Sequence, residues 1–448
     1  MDAFERKNVF VVGAGKSGVA AALLLLRERA RVTLLDERPK AAVEQSLGVE
    51  IPPQVAFVHG RMPEKAALGV DLVILSPGVP ASRLPREALR RAGVKVWGEL
   101  ELGFRRFRGN VAAVTGTNGK STVTTLLGDM VARAFSRVFV GGNLGTPLVA
   151  AAGETFDWGV VEVSSFQLES IDTFRPKVAV LLNLTEDHSD RYENFPAYAE
   201  AKTALFRNQG ATDTAVINVD DPEIISRADR IRAEKIPFSL TRPLSEGVCL
   251  DGGGMVYRNG VQEERYPSAL LQIRGMQNVE NAMAAIAAAR RIGVPPEAVR
   301  EALAAFPGLP HRMEFVRRFQ DVSWFNDSKG TNVGAVLKCL EGFPEPIVLI
   351  AGGKDKGVDF HPLREPLRRK ARAAVLFGEA RGRMERVLSG TVPLTMVGTL
   401  DEAVRKAAGL ARQGDVVILS PACSSFDQFR NFEDRGETFR RAVKELPG

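Results

Sequence analysis

The stretch Val111-Ala-Ala-Val-Thr-Gly-Thr-Asn-Gly-Lys-Ser-Thr122 leaves this chain little freedom in fold class. An apolar run without alternation reads as a strand buried on both faces, a glycine-bearing polar turn follows, and residues 122–134 carry a helical pattern. Strand, glycine loop and helix in that order belong to a parallel α/β sheet whose loops open at the carboxyl edge of the strands. Gly116, Thr117, Asn118 and Gly119 can turn successive backbone N–H groups inward on a phosphate chain. The helix start adds a partial positive charge and Lys120 a full one. The hydroxyl of Ser121 or Thr122 suits Mg²⁺. The general phosphate-loop pattern has a glycine where this chain has Val114, so the loop is a shortened form. A tight structural turn alone would explain the glycines and leave Lys120-Ser121-Thr122 without a role.

A second glycine turn opens the chain. A strand over residues 8–12 runs into Gly13-Ala14-Gly15-Lys16-Ser17-Gly18, then a helical stretch over 19–29 and a strand over 31–35 that ends at Asp36. That spacing is a dinucleotide fingerprint with an acidic residue placed for a ribose hydroxyl, although such turns hold many phosphorylated ligands besides NAD. A strand over 72–75 ends in Ser76-Pro77-Gly78 at the same edge.

Further short apolar strands are expected over 137–140, 158–163, 178–182 and 215–219, each followed by a polar turn. Glu162 interrupts an apolar run in one of them, where an unpaired carboxylate would be costly, so it suits a metal or a cation. Asn143 and His188 follow two others, and His188, one of four histidines, reads as a ligand or substrate contact. Asp187 and Asp190 beside it read as loop-structuring residues. Residues 249–265, with three consecutive glycines and Asn259-Gly260, read as edge hairpins. An alanine-rich helix is expected over 282–291, with Asn278 and Asn281 at its start as caps, an explanation that accounts for one of them better than for both. Residues 307–310, Pro-Gly-Leu-Pro, mark a linker. Beyond it a third α/β unit is expected, with strands over 322–325, 347–351, 374–377 and 416–419.

The length of 448 residues exceeds what one core organises, and three domains are expected: 1–98, 99–307 and 308–448. No apolar run approaches the ~20 residues of a membrane span, and the first residues lack the order of a secretion signal, so a cytoplasmic enzyme is expected. Three dispersed cysteines suggest neither a disulfide framework nor a zinc site. The net charge of +6 is diffuse, suiting small anionic substrates and excluding a nucleic-acid stripe.

Within a helical stretch over 195–206, Tyr198, Lys202, Leu205 and Phe206 share one face, which places Lys202 on an apolar stripe. The pattern alone favours a snorkelling lysine whose ammonium reaches water. A buried lysine would instead lose its proton and could react with CO₂ to give a carbamate, an anionic oxygen ligand for Mg²⁺.

Several runs in chain order resemble the Mur ligase family, in particular its D-glutamate-adding branch: Gly-Thr-Asn-Gly-Lys-Ser-Thr, Glu-Val-Ser-Ser-Phe-Gln-Leu, Asn-Leu-Thr-Glu-Asp-His-Ser-Asp-Arg-Tyr, Leu-Pro-His-Arg, Asn-Asp-Ser-Lys-Gly-Thr-Asn, Gly-Gly-Lys-Asp-Lys-Gly and Ser-Pro-Ala-Cys-Ser-Ser-Phe-Asp-Gln-Phe. The resemblance implies a Rossmann-like N-terminal domain, a central phosphate-loop ATPase-type parallel sheet and a Rossmann-like C-terminal domain. It implies an ATP-dependent ligase, expected as a monomer, that joins D-glutamate to UDP-N-acetylmuramoyl-L-alanine through an acyl phosphate. By resemblance the UDP group meets Ala14, Gly15, Lys16, Ser17, Asp36, Arg38 and Gly78. Lys120 and its loop take the ATP phosphates, with Asn278, Arg312, Asp327 and Lys329 also at the nucleotide. Ser121, Glu162, His188 and a carbamylated Lys202 would hold two Mg²⁺ ions, with Asn143 beside the substrate. Thr331, Lys356, Ser425, Phe426 and Phe432 would form the D-glutamate pocket. Relatives often carry His-Asn where this chain has Gln277-Asn278, which changes the adenine side. Rival readings are an alanine-adding ligase or folylpolyglutamate synthetase, an NAD-dependent dehydrogenase, and a nucleotide-binding switch without chemistry.

Overall fold

The computed structural model describes residues 4–188, 191–260 and 262–447, so the expectation for Asp190 lies outside the described residues. The chain divides into two compact units: residues 1–266 with 283–302, and residues 267–282 with 303–448.

The first unit holds two sheets. One contains β1 (Asn8–Val12), β2 (Arg31–Asp36), β3 (Ala56–His59), β4 (Leu72–Leu75) and β5 (Lys95–Gly98) in the order β3-β2-β1-β4-β5. Every pairing in it is parallel. Its strand order reverses beside β1, so the loops after β1 and β4 part and leave a crevice at the carboxyl edge.

The other sheet has nine strands: β6 (Arg108–Thr115), β7 (Val138–Gly142), β8 (Thr155–Glu162), β9 (Val178–Leu181), β10 (Thr214–Asn218), β11 (Glu234–Ser239), β12 (Glu246–Asp251), β13 (Gly254–Asn259) and β14 (Glu263–Pro267). Their order is β14-β13-β12-β11-β10-β9-β6-β8-β7. The strand that feeds the phosphate loop, β6, lies between β9 and β8, parallel to both. Val111, Ala112, Ala113 and Val114 are almost fully buried, as a strand covered on both faces requires.

The second unit holds β15 (Glu314–Phe319), β16 (Val322–Asn326), β17 (Ile347–Gly352), β18 (Ala371–Phe377), β19 (Leu394–Met396) and β20 (Val416–Leu419) in the order β15-β16-β20-β17-β18-β19. Only β15 runs antiparallel to its neighbour.

Strands β3, β5, β11, β15 and β19 are absent from the sequence reading, for physical reasons. Four of them lie at sheet edges, where exposed positions break the apolar run, and β11 carries Pro237. The helix expected from residue 282 begins earlier and spans Met276–Ile292. Asn278 and Asn281 therefore lie inside its first turns rather than at a cap: Asn278 Nδ2 donates to the Arg274 carbonyl at 2.7 Å, and Asn281 Nδ2 to Asn278 Oδ1 at 3.3 Å.

Candidate active site

The residues that bear on chemistry gather at the carboxyl edges of these sheets. After β6, Gly116 (φ 155°) and Gly119 (φ 85°) adopt the left-handed conformations that let the backbone fold under itself, and the helix Lys120–Ala132 starts directly behind them. A Cβ on Gly116 would meet the Leu182 side chain at 2.9 Å, so the loop is also pressed against the segment after β9. That segment grips it. Asn183 Oδ1 accepts from Asn118 N (2.8 Å), the Asn183 carbonyl accepts from Thr117 N (2.9 Å), and Thr117 Oγ1 donates to the Thr185 carbonyl (3.1 Å). Lys120 Nζ lies over the loop, donating to the carbonyls of Gly116 (2.9 Å) and Thr117 (2.8 Å). The ammonium is thus held against the loop's own carbonyls, and Ser121 and Thr122 follow on the first turn, both buried.

Glu162 ends β8 and is 2% exposed; its Oε1 accepts from Asn143 Nδ2 at 2.7 Å, so the expected carboxylate and amide from two neighbouring strand ends do meet. His188, held at φ 55°, packs its ring against Phe166 with centroids 4.8 Å apart and lies 6.0 Å from the Tyr198 ring.

Lys202 does not snorkel. It is buried on the helix Phe195–Thr203, its Nζ donates to the Gly116 carbonyl at 2.8 Å, and it sits 4.8 Å from the Tyr198 ring centroid. Burial, and then the repulsion of Lys120, push its pKa well below the ordinary lysine value, while Asp187 and Glu162 oppose this. Tyr198, one helical turn before Lys202, donates its hydroxyl to Thr117 Oγ1 at 3.1 Å and fastens this helix to the phosphate loop.

In the first sheet, Gly15 precedes the helix Lys16–Arg27, which places Lys16 and Ser17 on its first turn. Asp36 Oδ2 accepts from Ala14 N at 2.7 Å, and Arg38 binds the Asp36 carboxylate through Nε at 2.9 Å and reaches the Ala14 carbonyl at 3.3 Å. These bonds to Arg38 and to backbone N–H groups hold the Asp36 carboxyl below its usual pKa against the cost of burial. A cavity of about 170 Å³ is lined by Gly13, Asp36, Glu37, Gly78 and Arg83 among others.

In the second unit, Asp327 follows β16 and is buried beside β20, where Ser420 Oγ donates to its Oδ2 at 2.8 Å. Burial pushes its pKa up to about 7, against the hydrogen bond from Ser420 and the charge of Arg312. Lys329 Nζ stands 3.7 Å from the Phe432 ring centroid, and Thr331 N bonds to the Lys329 carbonyl. Ser425 is buried, whereas Phe426 is 71% exposed and Lys356 is exposed on the loop after β17. Arg435, which the sequence reading passes over, explains how these loops keep their spacing. It is fully buried and donates to the Ser328, Cys423 and Ser424 carbonyls and to Ser328 Oγ, with distances of 2.8 to 3.1 Å. No local pattern marks it, because an arginine on the helix Phe432–Lys444 reads as surface.

Among the described residues no group of three or more His, Cys, Asp or Glu side chains converges as a metal cage, and no helix is long and apolar enough to cross a membrane. Mg²⁺ takes few protein ligands and completes its shell with water and phosphate oxygens, so the Glu162 carboxylate and Ser121 hydroxyl beside a phosphate loop fit it.

Comparisons with known proteins agree with this geometry. Residues 7–98 match the MurD-like N-terminal domain of Mur ligases, 114–289 the Mur ligase middle domain, and 311–423 the Mur ligase glutamate ligase domain. UDP-N-acetylmuramoylalanine--D-glutamate ligase of Geobacter metallireducens is 47% identical over 98% of both chains, and that of Syntrophotalea carbinolica is 44% identical over 100% of both. The fold is shared with UDP-N-acetylmuramate-alanine ligase of Thermotoga maritima (TM-score 0.61, 20% identity, 98% of this chain and 100% of that one) and with MurF ligase of the same organism in complex with ADP (TM-score 0.63, 18% identity, 100% of both). A phosphate loop, a strand-end carboxylate and a desolvated lysine at one sheet edge, in a chain related over its whole length to D-glutamate ligases, have one reading: the chain belongs to the Mur ligase family.

Proposed function

We propose that this chain is the ATP-dependent ligase that adds D-glutamate to UDP-N-acetylmuramoyl-L-alanine in peptidoglycan precursor synthesis. The observation that carries the reading is the meeting of the Lys120 loop, Glu162 and buried Lys202 at one sheet edge in a chain 47% identical to such a ligase.

In this reading the substrate carboxylate attacks the γ-phosphorus of ATP, the bond to the ADP oxygen breaks, and an acyl phosphate results. The amine of D-glutamate then attacks the acyl carbon, inorganic phosphate leaves, and the nitrogen gives up a proton. No protein nucleophile is needed, and the chain's contribution is positioning and charge. Lys120 and the N–H groups that open the helix behind its loop steady the transferred phosphoryl group, since the N–H groups of Thr117 and Asn118 are taken by Asn183. Ser121, Glu162 and His188 would hold Mg²⁺, which when bound neutralises charge building on the phosphate oxygens. Lys202, whose pKa is lowered by burial and by Lys120, is suited to bond through its nitrogen to CO₂ with loss of a proton, which would put an anionic oxygen donor next to Lys120. The cavity beside Asp36 and Gly78 suits the UDP group. Asn278, Arg312, Asp327 and Lys329 would contact the nucleotide, and Thr331, Lys356, Ser425, Phe426 and Phe432 the incoming amino acid.

The test is which amino acid triggers phosphate release from ATP in the presence of UDP-N-acetylmuramoyl-L-alanine. D-glutamate alone is expected to do so; release triggered equally by L-alanine, or by none, would overturn the reading.

A further inference from the structure

One buried carboxyl is unused by this mechanism. Glu99 follows β5 and opens the helix Glu99–Arg106; it is 0% exposed, and burial pushes its pKa up to about 7. Its Oε1 accepts from Gln167 Nε2 at 2.7 Å, and its Oε2 has no hydrogen-bond partner among the described residues. An apolar side chain would fill this place without the desolvation penalty of a carboxyl, so what Glu99 contributes is its bond to Gln167.

Gln167 passes that bond onward. Its Oε1 accepts from Ser164 N (2.9 Å) and Ser164 Oγ (3.1 Å), and its own N–H donates back to Ser164 Oγ (3.3 Å). With the amide oxygen committed to Ser164, the NH₂ must face an acceptor, and Glu99 is that acceptor. Ser164 is two residues past Glu162. The residue between them is pinned as well: Val163 N donates to the Val114 carbonyl (2.8 Å) and the Val163 carbonyl accepts from Thr115 Oγ1 (2.7 Å). The backbone reinforces the link, since Gly98 N donates to the Ser170 carbonyl at 2.8 Å and a Cβ on Gly98 would lie 3.3 Å from Ser170 Cβ. The end of the first sheet is thereby tied to the turn that leaves β8.

We infer that Glu99 is a positioning residue for the ligase reaction: through Gln167 it fixes the Ser164 turn and so the direction in which Glu162 leaves the end of β8. The inference rests on the ligase reading above. It requires only that residue 99 offer an acceptor oxygen, so Glu99→Gln keeps the function and Glu99→Ala removes it.

The experiment compares wild type, Glu99→Ala and Glu99→Gln in three measurements. In steady-state kinetics, Glu99→Ala is expected to lower kcat roughly tenfold, the scale of losses when support behind a metal ligand is removed, with the KM for D-glutamate unchanged. Glu99→Gln is expected to stay within about twofold of wild type on the same argument. In calorimetry, a non-hydrolysable ATP analogue with Mg²⁺ is expected to bind Glu99→Ala roughly tenfold more weakly and Glu99→Gln like wild type. In the protein without ligands, the Ser164 amide is expected to exchange its hydrogen faster in Glu99→Ala only. A folded Glu99→Ala protein with wild-type kcat and analogue binding overturns the inference, as does Glu99→Gln impaired to the same extent as Glu99→Ala. Should Glu99→Ala fail to fold, Gln167→Ala interrupts the same relay from the other side, and wild-type kcat in that variant overturns the inference. Wild-type enzyme that releases no phosphate with D-glutamate overturns the ligase reading instead, so the two failures are distinct.

Discussion

Asp327→Asn should leave the stability of the protein unchanged near pH 4 and raise it increasingly up to neutral pH, with the gain kept in alkali. Asp327 is 8% exposed between the loops after β16 and β20, and its pKa stands at about 7 against an ordinary value of 3.8. A carboxyl whose folded pKa lies above its unfolded value binds its proton more tightly when folded, so its stabilising contribution is complete below about 4 and is lost as pH rises through about 7. Roughly three pKa units at 1.36 kcal/mol each set the ceiling on that loss at about 4 kcal/mol. Asparagine has no charge to desolvate. Its amide can still meet Ser420 Oγ, because a hydroxyl both donates and accepts, and its oxygen can take the Met313 N–H now 3.3 Å from Asp327 Oδ1. Denaturant unfolding of both proteins without nucleotide, from about pH 4 to pH 9, reads the difference directly, and taking the difference removes Glu99, which titrates in the same range. The curves should coincide near pH 4, diverge between about pH 4 and pH 7, and run parallel above that, up to about 4 kcal/mol apart with the variant the more stable. Parallel curves across the range would refute the assignment of Asp327 as a desolvated carboxyl.

Other expectations concern the reaction. Lys120→Ala should abolish acyl-phosphate formation while calorimetry still detects binding of the UDP substrate, because the cavity beside Asp36 belongs to a different sheet from the phosphate loop; near-normal turnover would show that the loop does not hold ATP. Lys202→Arg should be inactive despite its preserved charge, since guanidinium neither loses its proton nor forms a carbamate, and a ¹³C-labelled bicarbonate experiment should show a carbamate resonance in wild type only. Phe432→Ala removes the ring 3.7 Å from the Lys329 ammonium, and the KM for D-glutamate should rise about tenfold, equivalent to ~1.4 kcal/mol, with a smaller change in the KM for ATP; an unchanged KM for D-glutamate would remove Phe432 from the acceptor site.

Much of this was legible in the chain itself. Continuous apolar runs ending in glycine loops encode buried parallel strands, because a strand covered on both faces has no polar side to alternate, and Val111 to Val114 show it. The Lys120 loop encodes its own conformation through Gly116 and Gly119, whose positive φ values other residues adopt poorly. Glu162 announced itself as a charge inside an apolar strand. Such signals are local, carried by spacing and by backbone preference. Where the signal needs a partner far away in the chain, only the tertiary structure decided. The apolar pattern by itself favoured a snorkelling Lys202, and the burial that the carbamate expectation needed appears only with its helix placed against the Gly116 carbonyl, 86 residues earlier. Arg435 and Glu99 carry no mark in the sequence, and become a loop clamp and a turn support only because carbonyls and an amide from distant segments converge on them. Burial and desolvation are properties of the packed chain, not of its residues in order, so the pKa values of Lys202, Asp327 and Glu99 could be set only there.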